Sequence, residues 1–194
     1  MNFLPKTNAD AERCSGLRYP QDRDKAVHAL TSLQKGYCAY SERYLKPLDS
    51  VELEHFDPRK KNTEEDGFKN WHAVIRWMNA HKSRRIENFE PLPEIESWTA
   101  ARIRYEHGLC VCADDDMETR NLIDFLGVNK QEVFEERSNH IERMRGIQRK
   151  FGDQVLIEIL SESPEDLSFP TAIEAELGIP AFDLIDRHLT TDEA

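Results

Sequence analysis

No apolar run in this chain approaches the roughly 20 residues that span a bilayer, so no stretch of it reads as a membrane helix. The opening Met1-Asn2-Phe3-Leu4-Pro5-Lys6 lacks the charged-then-apolar build of a signal peptide. Cysteine is scarce: four residues, at 14, 38, 110 and 112, make a poor disulfide framework for 194 residues. That usage fits a reducing compartment, and the expectation is a soluble cytoplasmic protein with no membrane partner. Positive charge is short as well, with 26 Lys and Arg against 37 Asp and Glu and a net charge of −11. Phosphate neutralisation drives most nucleic-acid binding, so a balance this acidic argues against a protein that captures nucleic acid unaided. Internal repeats and low-complexity linkers are also lacking.

What is present is enough chain for one sizeable domain, or for a small core with helical extensions. The charge is unevenly spread. Residues 51–85 hold eight Lys and Arg against six Asp and Glu, whereas residues 152–194 hold eleven acids and only Arg187. The first segment is tolerant of phosphate and the second repels it.

Residues 1–20, with Pro5, Gly16 and Pro20, read as a partly extended segment. From Gln21 to Lys35, Ala26, Val27, Ala29, Leu30 and Leu33 keep to one helical face, and Gly36 follows the last turn. Val51-Glu52-Leu53 alternates as a short half-buried strand does. Strict alternation throws Glu54 and His55 to opposite faces, so serving one site together requires the strand to end near Leu53. Asn62 to Gly67 is a polar loop. Trp71, Val74, Ile75 and Met78 then fall at helical spacing, predicting a helix from about Asn70 with Asn79 on another face. Leu109 to Cys112 reads as a further short strand. Asp114-Asp115-Asp116 caps a helix over Met117–Leu126 that stops at Gly127. A long amphipathic helix follows from Asn129 to about Lys150, and shorter helical stretches come after Pro170 and Pro180. The fold class expected is α+β and predominantly helical, with one small β-hairpin.

Chemistry-bearing side chains concentrate between Glu54 and Lys82. Glu54-His55-Phe56-Asp57-Pro58 is followed by Asn70-Trp71 and by Asn79-Ala80-His81-Lys82. A lone histidine near its ordinary pKa of about 6.5 suits a general base at neutral pH. One carboxylate and one amide oxygen, completed by water, suit a hard divalent cation such as Mg²⁺. His72 and His81 read as solvated or hydrogen-bonded rather than as ligands. His107, Cys110 and Cys112 lack a fourth partner and read as buried thiols beside a strand.

This stretch resembles HNH (ββα-metal) endonucleases in spacing as well as residue type. Many members show E/D-H-x-x-P, then N-L, then C-x-x-C-N-x-x-K, after an upstream C-x-x-C. Here Cys38-Ala39-Tyr40-Ser41-Glu42 looks like the family's C-A-Y-C-E. The resemblance implies a ββα-metal core over 37–85, preceded by an N-terminal segment and helix (1–36) and followed by a helical region with an acidic end (86–194). It implies His55 as the base, Glu54 and Asn79 as ligands of Mg²⁺ or Mn²⁺, Asn70 as the residue fixing the loop, and Lys82 as a phosphate or helix anchor. Arg59, Lys60, Lys61, Arg84 and Arg85 would steer the nucleic-acid backbone. Four positions that carry zinc-binding cysteines in relatives are Cys38, Ser41, Ile75 and Met78 here. One thiol in four excludes a tetrahedral structural zinc, and apolar packing is expected in its place.

The wider pattern, from Gln34-Lys35-Gly36-Tyr37 to Phe125-Leu126-Gly127-Val128-Asn129 and Arg137, is similar to retron- and Septu-associated HNH proteins. That similarity implies a DNA-cutting effector of an anti-phage complex working beside an ABC- or SMC-type ATPase. Such a partner would also answer the shortage of positive charge. The alternatives are an RNA- or tRNA-cutting toxin on the same scaffold, or an inactive HNH module kept as an acidic scaffold subunit.

Overall fold

The computed structural model describes residues 1–14 and 16–192; Glu193, the last acid of the C-terminal segment, lies outside them. About 51% of the chain is helical and the strands form two small antiparallel sheets, so the class is α+β and mostly helical. Among the described residues no helix is long and apolar enough to cross a membrane.

Two short helices, α1 (Asn8–Arg13) and α2 (Arg23–Leu33), precede strand β1 (Val51–His55). β1 pairs antiparallel with β2 (Trp71–Ile75), in a register that sets Glu54 opposite His72 and His55 opposite Trp71. Helix α3 (Arg76–His81) follows β2 directly. One face of the pair, through Leu53, Trp71 and Ala73, buries against Ala26 and Leu30 of α2. The other packs Val74 among Tyr40, Met78, Phe125 and Leu126. Alternating side chains thus meet two different apolar clusters, which is why four of the five residues of β2 are buried.

Three expectations are corrected here. Trp71, Val74 and Ile75 belong to a strand and not to a helix, which begins only at Arg76. A run this short satisfies both periods, and the pairing partner decides. The buried Gln34 reinforces that choice by accepting from Ala73 N (2.9 Å) and donating to Ala73 O (2.7 Å), which closes the free edge of β2. β1 also runs through His55 instead of ending near Leu53. The predicted single hairpin is joined by a second, β3 (Arg104–Glu106) with β4 (Leu109–Val111).

Helices α4 (Met117–Leu126) and α5 (Gln131–Phe151) stand where the periodicity predicted them. Asp116 caps α4 by accepting from Thr119 N at 3.1 Å. Gly127 ends it at φ +68°, a left-handed conformation that costs glycine nothing. Helices α6 (Asp153–Glu162), α7 (Pro170–Leu177) and α8 (Ala181–Asp192) complete the chain. Leu156, Leu160, Ile173 and Leu184 pack there around Ile141 and Met144 of α5. Cys38 and Met78 lie in the same apolar cluster as Phe125, with Ile75 against it. Glu42, buried and at φ +62°, ties distant parts together: its carboxylate accepts from Asn2 N (2.7 Å) and Thr171 Oγ1 (2.8 Å).

His140 on α5 sits edge-on to Phe169, with Nε2 3.0 Å from Asp166 O. Burial, aided by Arg143, pushes its pKa down to about 4. The unfolded chain, with a histidine near 6.5, therefore binds the proton first as pH falls, and the native state loses stability between about 6.5 and 4. His140→Leu is expected to flatten this acid limb of the melting temperature. An unchanged slope over that window would show that His140 does not govern it.

Candidate active site

β1 delivers Glu54 and His55 to opposite faces, as strand geometry requires. Glu54 is 5% exposed and both its oxygens have partners: Tyr40 donates its hydroxyl to Oε2, and Lys82 Nζ lies 2.9 Å from Oε1. Burial pushes the Glu54 pKa up, against the opposing pull of the Lys82 charge. It pushes the Lys82 pKa down, against the pull of Glu54. Lys82 closes α3 and also donates to His55 O and Phe56 O, both at 2.9 Å, with its ammonium 4.6 Å from the centre of the Phe125 ring. It pins the end of the helix to the end of the strand.

His55 sits edge-on to Tyr19 and Trp71, at 4.8 and 6.4 Å between ring centres. Its Nε2 is buried 3.0 Å from Asp66 Oδ1, but off the angle of a hydrogen bond. Burial lowers the His55 pKa and the Asp66 charge partly restores it, so the ring is a free base at neutral pH. The same Asp66 oxygen accepts from Trp71 Nε1 at 2.5 Å, which anchors the carboxylate.

Asn70 folds the loop between the strands. Its Oδ1 accepts from Asp57 N at 2.7 Å, its Nδ2 donates to Asp57 O at 3.0 Å, and its own carbonyl accepts from Phe56 N at 2.8 Å. One side chain thus extends the ladder beyond the last strand pair and fixes the turn after His55. Asn79, on α3, donates from Nδ2 to Glu52 Oε2 at 2.6 Å.

A cavity of about 350 Å³ opens where β1 ends, bordered by Glu54, His55, Lys61, Asn79, Lys82 and Arg84. Six of the ten residues singled out from sequence meet there, despite the opposed directions of Glu54 and His55. Asn70 stands behind the loop. Arg59 is drawn elsewhere, chelated by Asp57 and paired with Glu90 at 2.9 Å. Lys60 pairs with Glu65 at 3.2 Å. Both border a separate cavity of about 630 Å³ whose cations face Asp57, Glu65, Glu90, Glu94 and Glu96. That mixed lining has no catalytic pattern. Arg85 borders neither cavity; among the described residues neither it nor Arg84 has a side-chain ion pair.

His72 is hydrogen-bonded and not solvated: it is a strand residue sealed at 0% exposure beneath the N-terminal segment. Its Nε2 lies 3.2 Å from Leu4 O and 3.1 Å from Lys6 Nζ, whose pKa burial pushes down to about 7. His81 stacks on Trp77 and its Nδ1 lies 2.8 Å from Trp77 O.

Three participants carried no sequence signal strong enough to single them out. Tyr40 was legible only as a neighbour of Cys38, Asp66 as one acid of a polar loop, and Glu52 as the polar position of a strand. Comparison with family models, with curated proteins and with solved structures finds no match to this chain.

Proposed function

We propose that the chain is a metal-dependent HNH-type endonuclease that hydrolyses DNA phosphodiesters, acting in the cytoplasm as the effector of an anti-phage complex with an ABC- or SMC-type ATPase. The observation that carries this reading is the single cavity shared by Glu54, His55, Asn79 and Lys82, with Lys61 and Arg84 at its border. The donor set fits Mg²⁺ or Mn²⁺: a carboxylate and a carboxamide oxygen are hard ligands, and water completes such a shell. A bound cation would supply charge stabilisation at the phosphoryl and leaving oxygens.

The chain's own residues supply the rest. His55, already neutral at pH 7, takes a proton from water. Asp66 beside Nε2 favours the tautomer with its proton there and leaves Nδ1 as acceptor. Lys82 holds Glu54 and the carbonyls of residues 55 and 56 in one geometry, so the strand end and the helix keep their spacing. Lys61 and Arg84 give the cavity a positive border for the phosphate backbone. With Arg59 and Lys60 held by acids, so little free positive charge matches the need for a DNA-holding partner.

One observation favours an inactive scaffold instead: both oxygens of Glu54 are satisfied within the chain, by Tyr40 and Lys82. A substrate and metal panel separates the readings. Purified protein, alone and with its ATPase partner, is incubated with plasmid DNA and with RNA in millimolar Mg²⁺ or Mn²⁺. Nicking of DNA that stops on chelation is the expected result. Cutting of RNA alone would move the assignment to a ribonuclease. Absence of cleavage, together with no calorimetric Mn²⁺ binding lost in Glu54→Ala, would establish the scaffold.

A further inference from the structure

We propose that Glu52, which no motif singles out, is a positioning residue that turns the Asn79 carboxamide oxygen toward the cavity. The proposal rests on the metal-site reading above and deepens it. A carboxamide has a donor end and an acceptor end of nearly equal size, and only its surroundings determine which way it points. Here the surroundings are unambiguous. Asn79 Nδ2 is 2.6 Å from Glu52 Oε2, and an ionised carboxylate only accepts. The nitrogen must therefore face Glu52, so the oxygen is directed away from it.

The backbone brings the three groups together. Glu52 and Glu54 lie two apart on β1 and share a face, while Asn79 comes from the helix that follows β2. Glu54 and Asn79 border the cavity and Glu52 does not. Glu52 therefore acts through Asn79 rather than on a ligand. Arg76 Nε, 3.7 Å from Glu52 Oε1, is the cation nearest that carboxylate. Groups that orient a metal's ligands typically carry 10- to 100-fold in affinity.

The test has two readouts in the full-length protein. The first is Mn²⁺ affinity by calorimetry for wild type, Glu52→Ala and Glu52→Gln. Alanine is expected to weaken binding by about 10- to 100-fold. Glutamine, which loses the charge but keeps an acceptor oxygen, is expected to retain most of the affinity, and that separates orientation from simple attraction. The second readout is the side-chain amide NMR signal of Asn79 without metal, assigned by its loss in Asn79→Ala. It should be shifted and slowly rotating in wild type and become ordinary in Glu52→Ala. Wild type that binds Mn²⁺ no better than Glu52→Ala overturns the positioning role alone, as does an Asn79 signal identical in the two proteins. Wild type that binds no Mn²⁺ overturns the metal-site reading and the positioning role with it.

Discussion

Replacing His55 with alanine is expected to lower the rate of DNA cleavage by about 10²- to 10⁴-fold, the usual contribution of a positioned general base. The ring is wedged between Tyr19 and Trp71, so some stability will be lost as well. His55→Gln keeps most of the volume and serves as the control: a normal melting temperature with the same loss of rate assigns the defect to chemistry. The pH profile carries a second signature. A base works in its neutral form, so the rate falls as pH drops through its pKa. Burial places the His55 pKa below its ordinary 6.5, and the acid limb should have its midpoint below that value. Asp66→Asn removes the charge that partly restores this pKa, so the limb should move further down and the maximal rate should fall. A profile unaffected by either change would remove His55 from the mechanism.

The largest stability effect is expected at Arg137. Its guanidinium is 1% exposed, donates to Gly108 O at 2.5 Å and to Val128 O at 3.1 Å, and lies 5.5 Å from the centre of the Tyr105 ring. It fastens the β3–β4 turn to the start of α5. The turn lies close against α5, since Gly108 sits at φ +83° and a Cβ there would come within 2.9 Å of Ser138 Cβ. Arg137→Met leaves two buried carbonyls without donors, at about 1–3 kcal/mol each. Relief from burying a cation offsets part of that, and a net loss of about 3 kcal/mol is expected, lowering the melting temperature by roughly 6–12 °C. Asn129 Oδ1, which also accepts from Arg137 at 3.2 Å, keeps Cys110 N as a donor at 2.9 Å, which limits the damage. A change under about 2 °C would mean that solvent reaches these carbonyls in the variant. Arg137 thus holds the fold and stands outside the candidate site.

Local signals were reliable wherever neighbours in sequence are also neighbours in space. The Asp116 cap, the Gly127 stop and the long apolar stripe of α5 were legible for that reason. The company of Glu54, His55, Asn79 and Lys82 around one cavity was legible only through the resemblance to HNH endonucleases, since the second strand was read as helix. Arg59 and Lys60 were misleading. As sequence they read as free cations, but Asp57, Glu90 and Glu65 engage them, and only the folded loop brings Glu90 near.

By itself the sequence determined which chemical groups this protein has to work with, the limits of α4, the approximate course of α2 and α5, and a net charge of −11. Tertiary structure alone decided that residues 71–75 are a strand, that Tyr40 and Lys82 share the Glu54 carboxylate, and that Glu52 faces Asn79. The physical reason is common to all three. Periodicity over five residues does not distinguish helix from strand, and the direction of a carboxylate or carboxamide is set by whichever donor the returning chain brings within 3 Å.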